Sequence, residues 1–233
     1  MSAQYTISAV EPGDVGNIMK LLRKTFYVDE PLNQAVGLIS SETDTCAELD
    51  EYCTHSLHEG LSFKATDNEG NIVGVIINGV CPLAEDTNGN DLLSQAQKCP
   101  NPKFQKILYI LAKRESGARL AEEYPEDKHV VEIKVTATDN KWRRKGIMNA
   151  LIETSEKAIK DRGYRLIRLD TSSAYSAMSA KRLGYTCKYR ALYRDLKMDG
   201  QPLIVPEPPH LEDCVFIKEL FPIRSKTYQK NVL

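Results

Sequence analysis

The stretch Asp139-Asn140-Lys141-Trp142-Arg143-Arg144-Lys145-Gly146-Ile147 decides how this chain is read. Lys141, Arg143, Arg144 and Lys145 place four basic side chains within five positions. Before them runs His129 to Thr136, rich in branched residues with alternating faces, which predicts a strand. After them an amphipathic run predicts a helix from about Arg144 to Arg162, ended by Gly163 as a left-handed cap. Cations at a helix start oppose the macrodipole, an unfavourable placement unless an anion arrives to use the charges and the free N–H groups. Gly146 lets the backbone approach such an anion closely. The order strand, basic turn, glycine, helix therefore predicts a phosphate-binding turn, with a solvated basic loop as the plain alternative. Gly-x-x-x-x-Gly-Lys-Ser/Thr is absent, and no Gly-x-Gly-x-x-Gly follows a strand.

Outward from the turn, the second half of the chain alternates. Leu166 to Asp170 reads as a short strand, Ser173 to Leu183 as a helix closed by Gly184, and Thr186 to Tyr193 as another strand. After the proline-rich link from Pro202 to Pro209, Val215 to Leu220 offers a last strand. Towards the N-terminus, Tyr5, Ile7 and Ala9 alternate as in a half-buried strand. Asp14 then caps a helix carrying Val15, Ile18, Met19, Leu21, Leu22 and Phe26, which runs out before Pro31. A second helical stretch covers about Thr43 to Ser56. Leu61 to Thr66 and Ile72 to Val80 form a hairpin about Asp67-Asn68-Glu69-Gly70-Asn71. Cys81 to Asn101 reads as a polar, irregular insertion, followed by helical periods over Phe104 to Ser116 and Arg119 to Glu123. The pattern predicts an α/β chain with one mixed sheet and a single domain over residues 1–233.

Composition narrows the function class. The 233 residues, 42% hydrophobic and 27% charged, suit a globular domain with a proper core. A net charge of -1 supplies no basic field for nucleic acid, so any polyanion must be held by a local cluster. The start lacks a charged leader with an apolar stretch, and no apolar run approaches the roughly 20 residues that span a bilayer. With no lipidation cysteine near Leu233 and six scattered cysteines that read as reduced thiols, a cytoplasmic protein without a membrane partner is expected. Cys46, Cys53, His55 and His58 fit no standard zinc spacing, and no metal site is expected.

Arg143-x-x-Gly146 ahead of an amphipathic helix resembles the R-x-x-G-x-G/A motif of the GNAT superfamily of acetyl-CoA-dependent N-acetyltransferases. Ser173 to Tyr185, ending Lys181-Arg182-Leu183-Gly184-Tyr185, is similar to the family's helix that ends in K/R-L-G-F/Y. The resemblance implies the GNAT fold, a mostly antiparallel sheet of about seven strands flanked by helices on both faces. It also implies acetyl-CoA as cosubstrate. The turn residues Arg143, Arg144, Lys145, Gly146, Ile147 and Met148 would hold the pyrophosphate. The strand from Glu132 to Thr136 would splay from its neighbour, so that Ile133, Lys134 and Val135 meet the pantetheine arm. Ser173 and Lys181 complete the implied cofactor set, and a backbone N–H near Val135 would stabilise the oxyanion. Two positions depart from the pattern. Met148 stands where the family has Gly or Ala, which tightens the turn, and Ala180 stands where many members carry an acidic tyrosine.

Asp29-Glu30-Pro31-Leu32-Asn33 matches the D-E-P-L-N string of insect-type arylalkylamine N-acetyltransferases, and Thr171 to Ser176 resembles that branch's S-S-x-Y-S segment. These enzymes acetylate dopamine, serotonin, tyramine, octopamine and related amines. The chemistry gives such residues a task. An alkylamine with a pKa near about 10.4 is protonated at neutral pH and needs a base. Glu30 is the candidate base, acting on direct attack of the amine on the thioester. Ser172 and Ser176, four apart at a helix start, would share a face and relay a proton to the thiolate, though serines there are commonly caps. His210 could line the amine pocket or sit on a surface loop. Two alternatives stand beside this reading. One keeps the cofactor but takes a polyamine, histamine or other non-aromatic amine, and the other is a non-catalytic acetyl-CoA-binding module. A monomer acting on a small-molecule amine is expected.

Overall fold

The structure, a computed structural model, describes residues 5–41, 44–83 and 91–222. In chain order it places β1 (Tyr5–Ala9), α1 (Val15–Lys24), α2 (Phe26–Asp29), α3 (Pro31–Val36), α4 (Ala47–Thr54), β2 (Phe63–Asp67), β3 (Ile72–Pro82), α5 (Leu92–Lys98), α6 (Pro102–Ala118) and α7 (Leu120–Glu123). The second half holds β4 (His129–Thr138), α8 (Ile147–Asp161), β5 (Leu166–Thr171), α9 (Ala174–Arg182), β6 (Thr186–Leu192), β7 (Lys197–Met198), β8 (Gln201–Pro202) and β9 (Glu212–Glu219). Seven strands form one sheet in the order β1-β2-β3-β4-β5-β9-β6, antiparallel except where β4 meets β5. The short pair β7–β8 stands apart from it. This is the α/β architecture expected from the alternation of periods.

Strand periodicity sends apolar side chains to both faces. On one face Val75, Ile77, Val135 and Ala137 pack with Ile18 and Leu22 of α1, Leu49 and Cys53 of α4, and Ile107 and Ile110 of α6. On the other, Ile76, Val131, Ile133, Ile167 and Phe216 pack under Ile147, Leu151, Ile152 and Ile159 of α8. Along β4 the odd-numbered residues therefore change faces between Ile133 and Val135. One extra residue is required for that change, and Lys134 is it. Ile77 pairs with Val135 and Asn78 with Ile133, leaving Lys134 without a counterpart on β3. This is a β-bulge, a feature that bends a strand and redirects its side chains.

Several boundaries differ from the sequence reading, each for a local reason. The N-terminal helix is divided into α1 and α2, because Thr25 leaves helical geometry with ψ -80; it ends before Pro31 as expected, with Glu30 extended, and α3 begins anew at Pro31. The stretch from Cys81 to Asn101 is not wholly irregular: β3 continues to Pro82, and Asp91 caps α5 by accepting from the Ser94 N–H. Residues 84–90 of that stretch and Thr43 of the second helical stretch lie outside the described residues. Helix α8 begins at Ile147 rather than Arg144, since Arg144 has φ 61 and Gly146 φ 81, both left-handed. Among the described residues no helix is long and apolar enough to cross a membrane.

Candidate active site

The left-handed backbone at Arg144 and Gly146 folds the basic stretch into a compact turn between β4 and α8. Asp139 opens it by accepting from the Lys141 N–H at 2.9 Å and by pairing with Lys24 at 2.8 Å. Arg143 pairs with Asp29 at 2.5 Å, and the Lys145 ammonium lies 4.3 Å from the centroid of the Trp142 ring. Within α8 the first backbone bond across the turn runs from the Ala150 N–H to the Gly146 carbonyl at 3.1 Å. The N–H groups of Ile147, Met148 and Asn149 precede that bond, as the opening donors of any helix do. A Cβ at Gly146 would meet nothing within 4 Å, so glycine serves the turn through its φ and not through space. Met148 does not lean into the turn alone: its sulfur accepts from Thr136 Oγ1 at 3.8 Å and it packs against the α8 face of the sheet.

Beside this turn the sheet opens. The parallel pairing of β4 with β5 covers Val131↔Ile167, Glu132↔Arg168 and Ile133↔Leu169, although β4 continues to Thr138 and β5 to Thr171. Past Ile133 the two strands diverge, leaving one edge of β4 unpaired next to its bulge. A cleft of about 760 Å³ runs from the turn through this opening to the helices on the opposite face. Its lining includes Glu30, Ile133, Lys134, Arg143, Arg144, Gly146, Ile147, Met148, Ser172, Ser173 and Ser176. Val135, Lys145 and Lys181 are not among the residues that line it. Val135 points into the apolar core, Lys145 rests on Trp142, and Lys181 is exposed on the last turn of α9.

Glu30 owes its position to two helices. It caps α3, accepting from the Asn33 N–H at 2.7 Å, and Pro31 at the first helical position fixes the entry. Across the cleft Ser172 Oγ donates to Glu30 Oε1 at 2.5 Å. Burial pushes the Glu30 carboxyl above the usual glutamate range, against the opposing hydrogen bonds from Ser172 and from the backbone of Asn33 and Leu32. Ser172 precedes α9, so it does not share a helix face with Ser176. Ser173 is the cap, accepting from the Tyr175 N–H at 3.2 Å, and the Ser176 hydroxyl donates to the Ser173 carbonyl at 3.0 Å. His210 neither lines the cleft nor stands free: its Nδ1 accepts from the Ala174 N–H at 3.1 Å, bracing the start of α9.

The cleft also holds groups the sequence reading did not select. Glu132, Asp170, Arg114 and Tyr52 line it, with Phe104, Ile107 and Leu111 forming an apolar wall from α6. Burial works against ionising Glu132, yet the Lys134 ammonium and the Arg168 guanidinium hold its carboxyl down to about 2. Lys134 lies 3.3 Å from Glu132 and 5.5 Å from the Tyr52 ring centroid, so its cation is engaged within the protein. Arg168 binds Asp170 at 2.8 Å, and Arg114 approaches Asp170 at 3.8 Å. A signal for them exists in the sequence. Glu132 with Lys134 and Arg168 with Asp170 are charged pairs two apart inside otherwise apolar strands, hence on one face.

Three solved structures are similar over nearly their whole length. An arylalkylamine N-acetyltransferase 2 from Aedes aegypti is 26% identical, with TM-score 0.87, covering 94% of this chain and 100% of that one. A Drosophila melanogaster polyamine N-acetyltransferase that forms N-acetylagmatine is 24% identical, with TM-score 0.81, covering 93% of this chain and 100% of that one. An agmatine N-acetyltransferase is likewise 24% identical, with TM-score 0.80, covering 92% and 99%. These two share the fold. The acetyltransferase (GNAT) family model matches residues 18–185, which take in Glu30, the divided strands and the basic turn. Members of that family use acetyl-CoA as the acetyl donor. With the turn, the opened sheet and this match in agreement, the chain belongs to the GNAT family of acetyltransferases.

Proposed function

We propose that the protein transfers the acetyl group of acetyl-CoA to the primary amine of an arylalkylamine such as tyramine, dopamine, octopamine, serotonin or tryptamine, with Glu30 as the base. The observation that carries this reading is the Glu30–Ser172 contact inside the cleft. Burial raises the Glu30 carboxyl and makes its carboxylate a better proton acceptor than an ordinary glutamate, while the hydroxyl and backbone N–H groups that bond it fix its position. Glu132, held down to about 2, is a poor proton acceptor there. Glu30 takes the ammonium proton, and the freed amine attacks the thioester carbonyl carbon. As the C–S bond breaks, the Ser172 hydroxyl delivers a proton to the leaving thiolate and is resupplied from Glu30, whose freed carboxylate then takes the second proton from the new amide nitrogen and releases it to solvent. The phosphates would lie on Arg144 and the first amides of α8, with Arg143 exchanging Asp29 for the anion and Lys145 and Lys181 reaching it from the rim. The backbone of Ile133, Lys134 and Val135 would face the pantetheine arm at the unpaired edge of β4, with Ser173 and Met148 alongside.

An aromatic acceptor suits the wall of Phe26, Leu32, Phe104, Ile107 and Leu111. The carboxylates Glu132 and Asp170 nearby are already paired with Lys134, Arg168 and Arg114, which leaves them ill placed to receive a second cation of a polyamine. The similarity to the mosquito arylalkylamine enzyme agrees with this choice. The test incubates the protein with acetyl-CoA and tyramine, dopamine, serotonin, agmatine or putrescine and measures free thiol. Arylalkylamines are expected to exceed agmatine and putrescine in kcat/KM; the reverse order moves the substrate to the polyamine class. Absence of thiol release with every amine removes the enzyme reading. Glu30→Gln is expected to lower kcat/KM near neutral pH by about 100-fold or more, and unchanged turnover would exclude Glu30 as the base.

A further inference from the structure

A buried hydroxyl outside the cleft reaches the loop that carries Ser172. Tyr193 is 2% exposed and follows β6 in the turn Tyr193–Asp195. Its hydroxyl oxygen lies 3.2 Å from the Ser172 carbonyl and 3.2 Å from Asp213 Oδ1. A phenol carries a single proton and both neighbours are acceptors, so the proton is shared between them. Asp213 is already satisfied. Arg114 Nε and Nη2 donate to its Oδ1 at 2.8 and 2.5 Å, and Nε also reaches Oδ2 at 2.8 Å. The Ser172 carbonyl makes no other hydrogen bond among the described residues. One residue earlier, Thr171 Oγ1 is buried without a partner among the described residues and adds nothing to hold this link.

We propose that Tyr193 is a positioning residue for acetyl transfer: by donating to the Ser172 carbonyl it keeps Ser172 Oγ on the Glu30 carboxylate. Asp213, clamped by Arg114, holds the phenol at that carbonyl. The inference rests on Glu30 being the base. It joins α6, β9, the end of β6, the link before α9 and the start of α3 into a single polar chain that ends at the reacting group. A hydrogen bond to an ionised carboxylate favours the ionised form. Releasing Ser172 from Glu30 therefore moves the Glu30 titration to higher pH.

Tyr193→Phe removes the hydroxyl and keeps the ring that packs in the core. In this variant kcat near neutral pH is expected to fall about tenfold. The acid limb of kcat/KM moves up by about half a pH unit or more, and KM for acetyl-CoA changes less than about threefold. Ser172→Ala moves the limb in the same direction. The double variant Tyr193→Phe/Ser172→Ala is no slower than Ser172→Ala alone, because the hydroxyl to be positioned is gone. Additive losses in the double variant, an unmoved acid limb in folded Tyr193→Phe, or a Ser172→Ala variant of unchanged kcat each overturn the inference. A tyrosine that merely supports the fold gives the first two results. If Glu30→Gln retains full turnover, the base assignment fails and takes this inference with it. If Glu30→Gln is inactive while the Tyr193 and Ser172 losses add, the inference alone fails.

Discussion

Two glutamates in one cleft shift in opposite directions, one through burial and the other through its neighbours. Glu30 meets a hydroxyl and backbone N–H groups, and burial prevails, so its carboxyl sits above the ordinary range. Glu132 meets Lys134 and Arg168, and the cations prevail over burial, so its carboxyl sits at about 2. A base must be ionised to act, so kcat/KM should rise with pH through an acid limb above about 4.3, the unperturbed glutamate value. Glu132→Gln should leave that limb in place, because Glu132 is ionised throughout the range. It should instead lower stability at pH 7 by about 3 kcal/mol, since Lys134 loses its buried partner. A depressed pKa stabilises the fold above the unfolded value and loses that contribution as pH falls through the folded one. The stability gap between wild type and Glu132→Gln should therefore close between about pH 4.3 and about pH 2, as thermal melts across that range would measure. If the variant loses the acid limb and keeps its melting temperature, the two roles are reversed.

At the scale of elements, the start of α8 is set by what lies beneath it. Gly74 on β3 allows Ile147 to rest on the sheet: a Cβ there would stand 2.6 Å from Ile147 Cγ2 and 3.4 Å from Leu151 Cδ1. Ile147 is branched at Cβ and fully buried, so it cannot swing aside. Gly74→Ala should lift the first turn of α8, costing about 1–3 kcal/mol from overpacking. Because that turn carries the amides read as the phosphate site, KM for acetyl-CoA should rise several-fold while kcat for the bound amine changes less. Steady-state kinetics at varied cofactor, with a melting curve, separates these effects. A variant that is destabilised but keeps its KM would show that the turn adjusts independently of β3. The periods that identified α8 contained no sign of this support, since glycine in a strand is silent about what approaches it.

The whole molecule brings its cleft together from distant segments. Ser172 Oγ meets Glu30 across 142 positions of sequence, and Arg143 meets Asp29 across 114. Ligand binding across such a junction should stabilise the entire fold. At acetyl-CoA near 100 times its Kd, linkage gives about 2.7 kcal/mol. For a chain of this size that corresponds to a rise in Tm of about 5–10 °C. Arg143→Ala should shrink the rise at the same cofactor concentration, through loss of a cation at the turn. An equal rise in both proteins would remove Arg143 from the cofactor set.

Much of the architecture follows from short-range chemistry. Branched alternation makes β4 and β5, glycine at φ 81 ends the basic turn, and Pro31 starts α3 behind a capping glutamate. The acidic string at Asp29 to Asn33 and the basic turn at Arg143 to Gly146 can be read by residue type and order alone. Their meeting cannot. Nor can the bulge at Lys134, because Val131, Ile133, Val135 and Ala137 alternate in sequence as though on one face, whereas the core divides them between two. The pairing of Glu132 with Arg168 on the neighbouring strand escaped because it too is made only by tertiary contact, as did the reach of Tyr193 to Ser172. Local conformation depends on neighbours a few residues away and is written in periods and caps. Which buried charge is neutralised, and which is left to act on a proton, depends on contacts made only after the sheet closes.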